Sequence, residues 1–156
     1  MKNGGFWLAA LVGGVLDRLT KLWVAKTMVL GQSIAAIPGI LDFTYIENTG
    51  AAWSLFQDSG GFLKWISLAV ALVLVGLAIW GNRLQRWEQV GYGCILAGAI
   101  GNGIDRFVSG AVVDFLDISP LLEFPVFNIA DVCINVGVAC LLISLVATSR
   151  SQQSDR

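Results

Sequence analysis

Four aspartates in this sequence stand in or beside apolar runs: Asp17, Asp105, Asp114 and Asp131. The chain has no histidine, which excludes a Ser-His-Asp or Cys-His nucleophile pair, an imidazole proton shuttle and His-ligated zinc. Chemistry is left to carboxylates, lysine, hydroxyls, thiols and backbone. Two close carboxylates cannot both ionise cheaply and so share one proton. The charged member can then take a proton from water while the neutral one donates to a scissile carbonyl. That is amide hydrolysis without histidine, metal or a covalent intermediate.

Spacing sorts the candidates. Asp17 and Lys21 are four apart with the acid nearer the amino end, the better orientation for an intrahelical pair, so a neutralised structural pair is the favoured reading. Arg18 reads as an interface anchor. In the third helical segment Gly93, Ala97 and Gly101 recur every four residues and Asp105 extends the same face; Asn102 and Arg106 form the adjacent one. The small residues invite close approach of a neighbouring helix. Arg106 could pair with Asp105, or anchor a substrate backbone or headgroup through its fork of donors. Asn128 and Asp131 have the spacing of a helix N-terminal cap, which competes with catalysis until a second acid lies nearby. Asp114, inside Val112-Val113-Asp114-Phe115-Leu116, is one such acid, and its apolar setting would raise its pKa. Asp114 with Asp131 and Asp105 with Asp131 both remain open on spacing alone.

The elements that must hold these residues are membrane spans. The 156 residues are 56% hydrophobic and only 13% charged, about half the charged fraction of a soluble domain. Crossing a bilayer takes about 20 apolar residues. Four runs approach this: Gly5 to Val24, Phe62 to Trp80, Val90 to Asp105 and Ile129 to Thr148. The first lacks a small-x-small cleavage site and reads as a retained helix. Lys2, Arg83, Arg86, Arg150 and Arg156 mark the cytoplasmic side, which puts both termini inside in an up-down-up-down bundle. Segments 25–61 and 106–128 then lie outside. From Ile40 to Ile46 residues alternate, with Leu41, Phe43 and Tyr45 on one face, as in a half-buried strand. Asn48-Thr49-Gly50 reads as a turn and Ala111 to Leu116 as a second strand, so a small extracytoplasmic sheet is expected. Ser149 to Arg156 reads as a disordered tail.

On this topology the acids converge near the outer interface. A proton or cation conductor is the main rival, but it would spread acids through the membrane's depth. An assembly factor using polar residues only to lock helices is a second. A Ser-Lys hydrolase built on Ser54 or Ser67 with Lys21 or Lys64 lacks a nucleophile motif, and carboxylate-only metal hydrolysis has no positive support. The formal net charge of −1, with scattered basic residues, offers nothing to nucleic acid. Cys94, Cys133 and Cys140 sit in apolar runs and imply no disulfide framework.

Five motifs in order carry a family resemblance. They are Asp17-x-x-x-Lys21, the run from Asn48-Thr49-Gly50 to Trp53-Ser54, Gly101-Asn102-x-x-Asp105-Arg106, Val112-Val113-Asp114-Phe115 and Phe127-Asn128-Ile129-Ala130-Asp131. With four spans and this length, the chain resembles the lipoprotein signal peptidases (signal peptidase II), bacterial intramembrane aspartyl proteases. The resemblance implies an all-α four-span membrane protein with Asp114 and Asp131 as its catalytic dyad. It implies that Asn48, Asn102, Arg106 and Asn128 line the groove or hold the dyad, and that Gly50 and Ala130 belong to the same motifs. Asp17, Lys21 and Asp105 then support the site. It also implies a prolipoprotein substrate, cut just before a cysteine that carries diacylglycerol, at the outer face of the cytoplasmic membrane. No cofactor or metal is implied, the remaining contacts are membrane lipids, and a monomer is expected. Asp131, at a helix N-terminus, is expected to carry the pair's negative charge more often.

Overall fold

A computed structural model describes residues 2–50 and 60–154. The motif residues Ala51, Ala52, Trp53 and Ser54 lie outside the described residues. Among those described, four helices, α1 (Gly4–Thr27), α2 (Gly60–Trp80), α3 (Arg86–Val108) and α4 (Ile129–Ser154), accompany a three-stranded sheet of β1 (Ser33–Ile37), β2 (Leu41–Asn48) and β3 (Val112–Asp117). The strands pair antiparallel in the order β1-β2-β3.

Helix ends depart from the expected spans for local reasons. The third helix begins at Arg86, four residues before Val90, because Gln85 and Glu88 form a capping box: the Gln85 backbone N–H donates to Glu88 Oε2 at 2.8 Å. It ends where Ser109 N–H and Oγ both donate to Asp105 O, before Gly110 turns the chain at φ +80°. The tail expected to be disordered from Ser149 is helical to Ser154, since neither glycine nor proline interrupts it. The first strand was not expected. Its five residues are all exposed and do not alternate, so the sequence carries no period-2 signal there.

Small residues set the helix packing. Along α1, Ala9, Gly13 and Asp17 meet Gly93, Ala97 and Gly101 of α3 in turn, and Lys21 then meets Asp105, so these two helices run parallel. The stripe read from sequence is this contact. Helix α4 runs antiparallel to α3, with Gly91 against Gly137 and Leu141, and Gly98 against Ala130 and Ile134. The amino end of α1 and the carboxyl end of α4 therefore share one end of the bundle. A side chain at Gly98 would meet the Ala130 carbonyl and stand 2.5 Å from Ile134 Cγ1. Gly98→Val is accordingly expected to destabilise by about 1–3 kcal/mol, read as a lower melting temperature in detergent.

Among the described residues, two helices are long and apolar enough to cross a membrane by length and composition, Gly61–Trp80 in α2 and Ile129–Ala147 in α4. In α1 the charges of Asp17, Arg18 and Lys21 interrupt the run; in α3 the glycines, Asn102, Asp105 and Arg106 lower its apolarity. The largest inter-helix packing is α3 against the other three, which places α3 inside the bundle and explains its polar content.

The sheet sits over one end of α1. Val24 of α1 and Met28, just past its end, pack with Tyr45 and Phe115, and Phe43, Val113 and Ile129 close the cluster. Strand alternation then decides the site: Phe115 enters this apolar cluster, and its neighbour Asp114 faces the other way. A short bridge completes the frame, with Phe127 N–H donating to Leu116 O at 3.0 Å and Leu116 N–H to Phe127 O at 2.7 Å. It clips the start of α4 against β3.

Candidate active site

That bridge brings Asn128 beside Asp114. Asn128 is fully buried, and its Nδ2 donates to Asp114 Oδ1 at 2.6 Å, to Asn102 Oδ1 at 3.0 Å and to Val113 O at 3.3 Å. The same residue caps α4 reciprocally. Asp131 N–H donates to Asn128 Oδ1 at 3.0 Å, and Asn128 N–H to Asp131 Oδ2 at 3.2 Å. The cap therefore does not withdraw Asp131 from the site: the residue that closes the cap also lines the cavity. Asp131 Oδ1 accepts from Asn102 Nδ2 at 2.8 Å. Asp114 Oδ2 accepts from Asn48 Nδ2 at 2.9 Å, a diagonal contact across β2 and β3, since Ile46 stands opposite Asp114.

Asp114 is 2% exposed. Burial pushes its carboxyl up to about 6; the charge of Asp131 adds to the rise, and the amides of Asn48 and Asn128 and the charge of Lys21 oppose it. Asp114 therefore keeps a proton to higher pH than an ordinary carboxylate does.

Both acids open on a cavity of about 450 Å³ that Asn48, Asn102 and Arg106 also line. Its remaining wall is mostly apolar: Val112 and Ile118, the segment 124–127, and Val132, Ile134 and Val136 of α4. Arg106 donates from a terminal nitrogen to Gly50 O at 3.3 Å, and its buried Nε meets no acceptor among the described residues. Gly50 N–H in turn donates to Asn48 Oδ1 at 3.0 Å, so the turn read at 48–50 fixes the Asn48 amide toward Asp114.

Beneath the cavity lies a buried ion cluster. Lys21, 2% exposed, reaches Asp17 at 3.0 Å and Asp105 at 2.8 Å, and it donates to Asn102 Oδ1 at 2.9 Å. Asp17 also accepts from Ala130 N–H at 2.8 Å, which holds the first turn of α4. Arg18 joins Asp105 at 3.3 Å from a half-exposed position, an ion pair that the interface-anchor expectation did not include. Asp105 is thus turned toward Lys21, and neither toward the cavity nor into a pair with Arg106. Sequence reading missed the Phe124–Phe127 wall, which carries no polar signal, and Asn135, an amide four residues after Asp131 that the apolar run around it makes visible.

A membrane protein with two cavity-facing carboxylates, each held by asparagine amides, is the class these features define. The family model for signal peptidase (SPase) II matches residues 9–147. The chain is 53% identical over 148 residues to a lipoprotein signal peptidase of Trichormus variabilis, covering 95% of this chain and 93% of that one. It is 55% identical over 144 residues to one of Microcystis aeruginosa, covering 92% of each. A solved bacterial membrane enzyme superposes with a TM-score of 0.85 at 35% identity, over 94% of this chain and 90% of that one. The chain belongs to the signal peptidase II family and is an aspartic peptidase.

Proposed function

We propose that Asp114 and Asp131 are the catalytic dyad of this chain. The chain acts as a lipoprotein signal peptidase, removing signal peptides from prolipoproteins. The observation that carries the dyad is the convergence of both carboxylates on one cavity through Asn128, which holds Asp114 by its side chain and Asp131 by its main chain. Water between the acids attacks the scissile carbonyl. Asp131 takes the proton from that water, while Asp114, the acid with the raised pKa, donates to the carbonyl oxygen. The resulting gem-diol then collapses, its C–N bond breaking as Asp131 passes the proton to the leaving amine and Asp114 takes back the hydroxyl proton. Asn48, Asn102 and Asn128 fix the geometry, and Arg106 holds the substrate backbone. The cut falls just before the diacylglyceryl-modified cysteine, whose chains stay in the bilayer.

All four helices span the bacterial cytoplasmic membrane, with both termini inside and the sheet and dyad at the outer face. What supports this is the lipid-compatible exterior: Leu8, Leu11, Val12, Leu16 and Leu19 of α1 are exposed, as are Trp65, Leu72 and Val73 of α2. The charged residues of α1 that spoil its hydropathy are largely turned inward. Asp17 and Lys21 are buried against α3, where pairing removes most of the cost of their insertion. One chain supplies both acids, so a monomer suffices.

The test is cleavage of a lipid-modified prolipoprotein by the purified chain in detergent. The product should begin at the modified cysteine and form in the presence of chelators and serine reagents. Single turnover in heavy-oxygen water should label the released signal peptide once, and hydroxylamine should trap no acyl-enzyme. A trapped acyl-enzyme would overturn the mechanism. The pH profile gives a further check. Asn48 stabilises the charged form of Asp114, so Asn48→Leu should raise the pKa of Asp114 beyond about 6. The alkaline limb of kcat/KM then moves to higher pH, although the rate at the optimum falls.

A further inference from the structure

We propose that Asn135 is a substrate-binding residue, whose side-chain carbonyl accepts a backbone N–H of the signal peptide about two residues before the cleaved bond. The proposal rests on the dyad reading above and adds a contact one turn deeper along α4. Asn135 lies inside the apolar run Ile129–Ala147 and is exposed, not packed between helices. Its Nδ2 donates to the Asp131 carbonyl at 2.9 Å, which fixes the amide plane and commits the nitrogen. The Oδ1 atom accepts no hydrogen bond among the described residues, and the side chain lines the same cavity as Asp114 and Asp131.

Acyl chains have no donors, so a polar acceptor facing lipid is costly and is retained where something in the membrane can donate to it. A peptide bond presented to two carboxylates must lie in an extended segment. The residues that precede it have then left the signal-peptide helix and carry free N–H groups at a depth without water. Distance selects among them. Asn135 is four residues from Asp131, about 6 Å along the helix at 1.5 Å per residue. An extended chain covers that in about two residues at 3.3 Å each. Helix α4 runs from the dyad into the membrane, so the contact falls on the signal-peptide side of the cut. The walls on either side of Asn135, Val132 and Val136, are apolar and suit the flanking side chains.

The experiment pairs Asn135→Leu with lipid-modified substrate peptides in which one amide is replaced by an ester, which removes a single N–H and keeps the chain shape. Esters are placed in turn at the three residues before the cut, and kcat/KM is measured for the full chain in detergent. Asn135→Leu should lower kcat/KM by about tenfold, the value of one neutral hydrogen bond in a dry site. One ester should cost the wild-type enzyme a similar factor and cost Asn135→Leu nothing more. Additive losses at every ester position, or wild-type kcat/KM in Asn135→Leu, would overturn the proposal. Asn135→Ala repeats the cycle should Asn135→Leu fail to fold, as judged by its melting temperature. Wild-type cleavage by Asp131→Asn would remove the dyad itself, which separates failure of that reading from failure of this one.

Discussion

Asp114→Asn and Asp131→Asn are each expected to lower kcat/KM for prolipoprotein cleavage by at least about 10³-fold, within the range for loss of a general acid or base. The variants differ from wild type by one heavy-atom exchange, so substrate binding should persist while turnover is lost. In the proposed dyad, an amide at 114 can neither release nor hold the shared proton, and one at 131 cannot take a proton from water. Their structural cost is modest. Both oxygens of each carboxylate accept from N–H groups, so a new NH₂ at either position faces one donor and forfeits a hydrogen bond worth about 1 kcal/mol.

Stability against pH checks that the loss is chemical. In the folded chain Asp114 titrates near 6, against 3.8 for the unconstrained group. The folded state thus binds this proton more tightly than the unfolded state does. Wild type should lose stability as pH rises from about 4 to about 6 and level off above that, by this group alone. Asp114→Asn removes that slope. At pH 8 its melting temperature should equal or exceed that of wild type, while the enzyme is inactive. Full activity in either folded variant would deny the dyad this role. In the proposed dyad, activity and stability pull apart because a buried, proton-holding carboxylate serves the chemistry at a cost to the fold.

Much of this arrangement is legible in the residues, for identifiable reasons. Apolar runs of sufficient length report the helices, and the every-fourth spacing of Gly93, Ala97 and Gly101 reports the α1 contact because no larger side chain would fit there. The alternation of Phe43 and Tyr45 reports β2, since one face of that strand is covered by α1. What is not legible depends on contacts distant in sequence. The backbone bridge between Leu116 and Phe127 uses groups common to every residue, yet it is what sets Asn128 beside Asp114. Spacing likewise cannot tell Asp105 from Asp114 as the partner of Asp131. The difference is a rotation about α3 that turns Asp105 to Lys21, and the alternation of β3 that turns Asp114 to the cavity.

The ion cluster beneath the cavity yields the second large effect. Lys21 is the buried cation between Asp17 and Asp105, and the half-exposed Arg18 partly balances the remaining charge. Lys21→Met would leave two carboxylates facing one another in a dry site, with Arg18 paired to Asp105 from a half-exposed position. Breaking such a network from one side costs about 3–5 kcal/mol, so the variant should unfold at a much lower temperature or fail to accumulate. Neutralising all three positions as Asp17→Asn, Lys21→Met and Asp105→Asn should recover most of that loss, because no charge is then buried without a partner. The amide introduced by Asp17→Asn can still accept from Ala130 N–H through its carbonyl oxygen. Recovery of stability should nevertheless not bring full activity. Lys21 also donates to Asn102 Oδ1, which with Asn128 Nδ2 on the same oxygen obliges the Asn102 amide to turn its nitrogen toward Asp131. Without the lysine one of those two donors is gone, and its charge no longer opposes the rise in the pKa of Asp114. The triple variant should therefore melt near wild type, cleave more slowly, and show its alkaline limb displaced to higher pH. Wild-type rate and pH profile in that variant would reduce Lys21 to a charge-balancing role, because stability alone cannot move the limb.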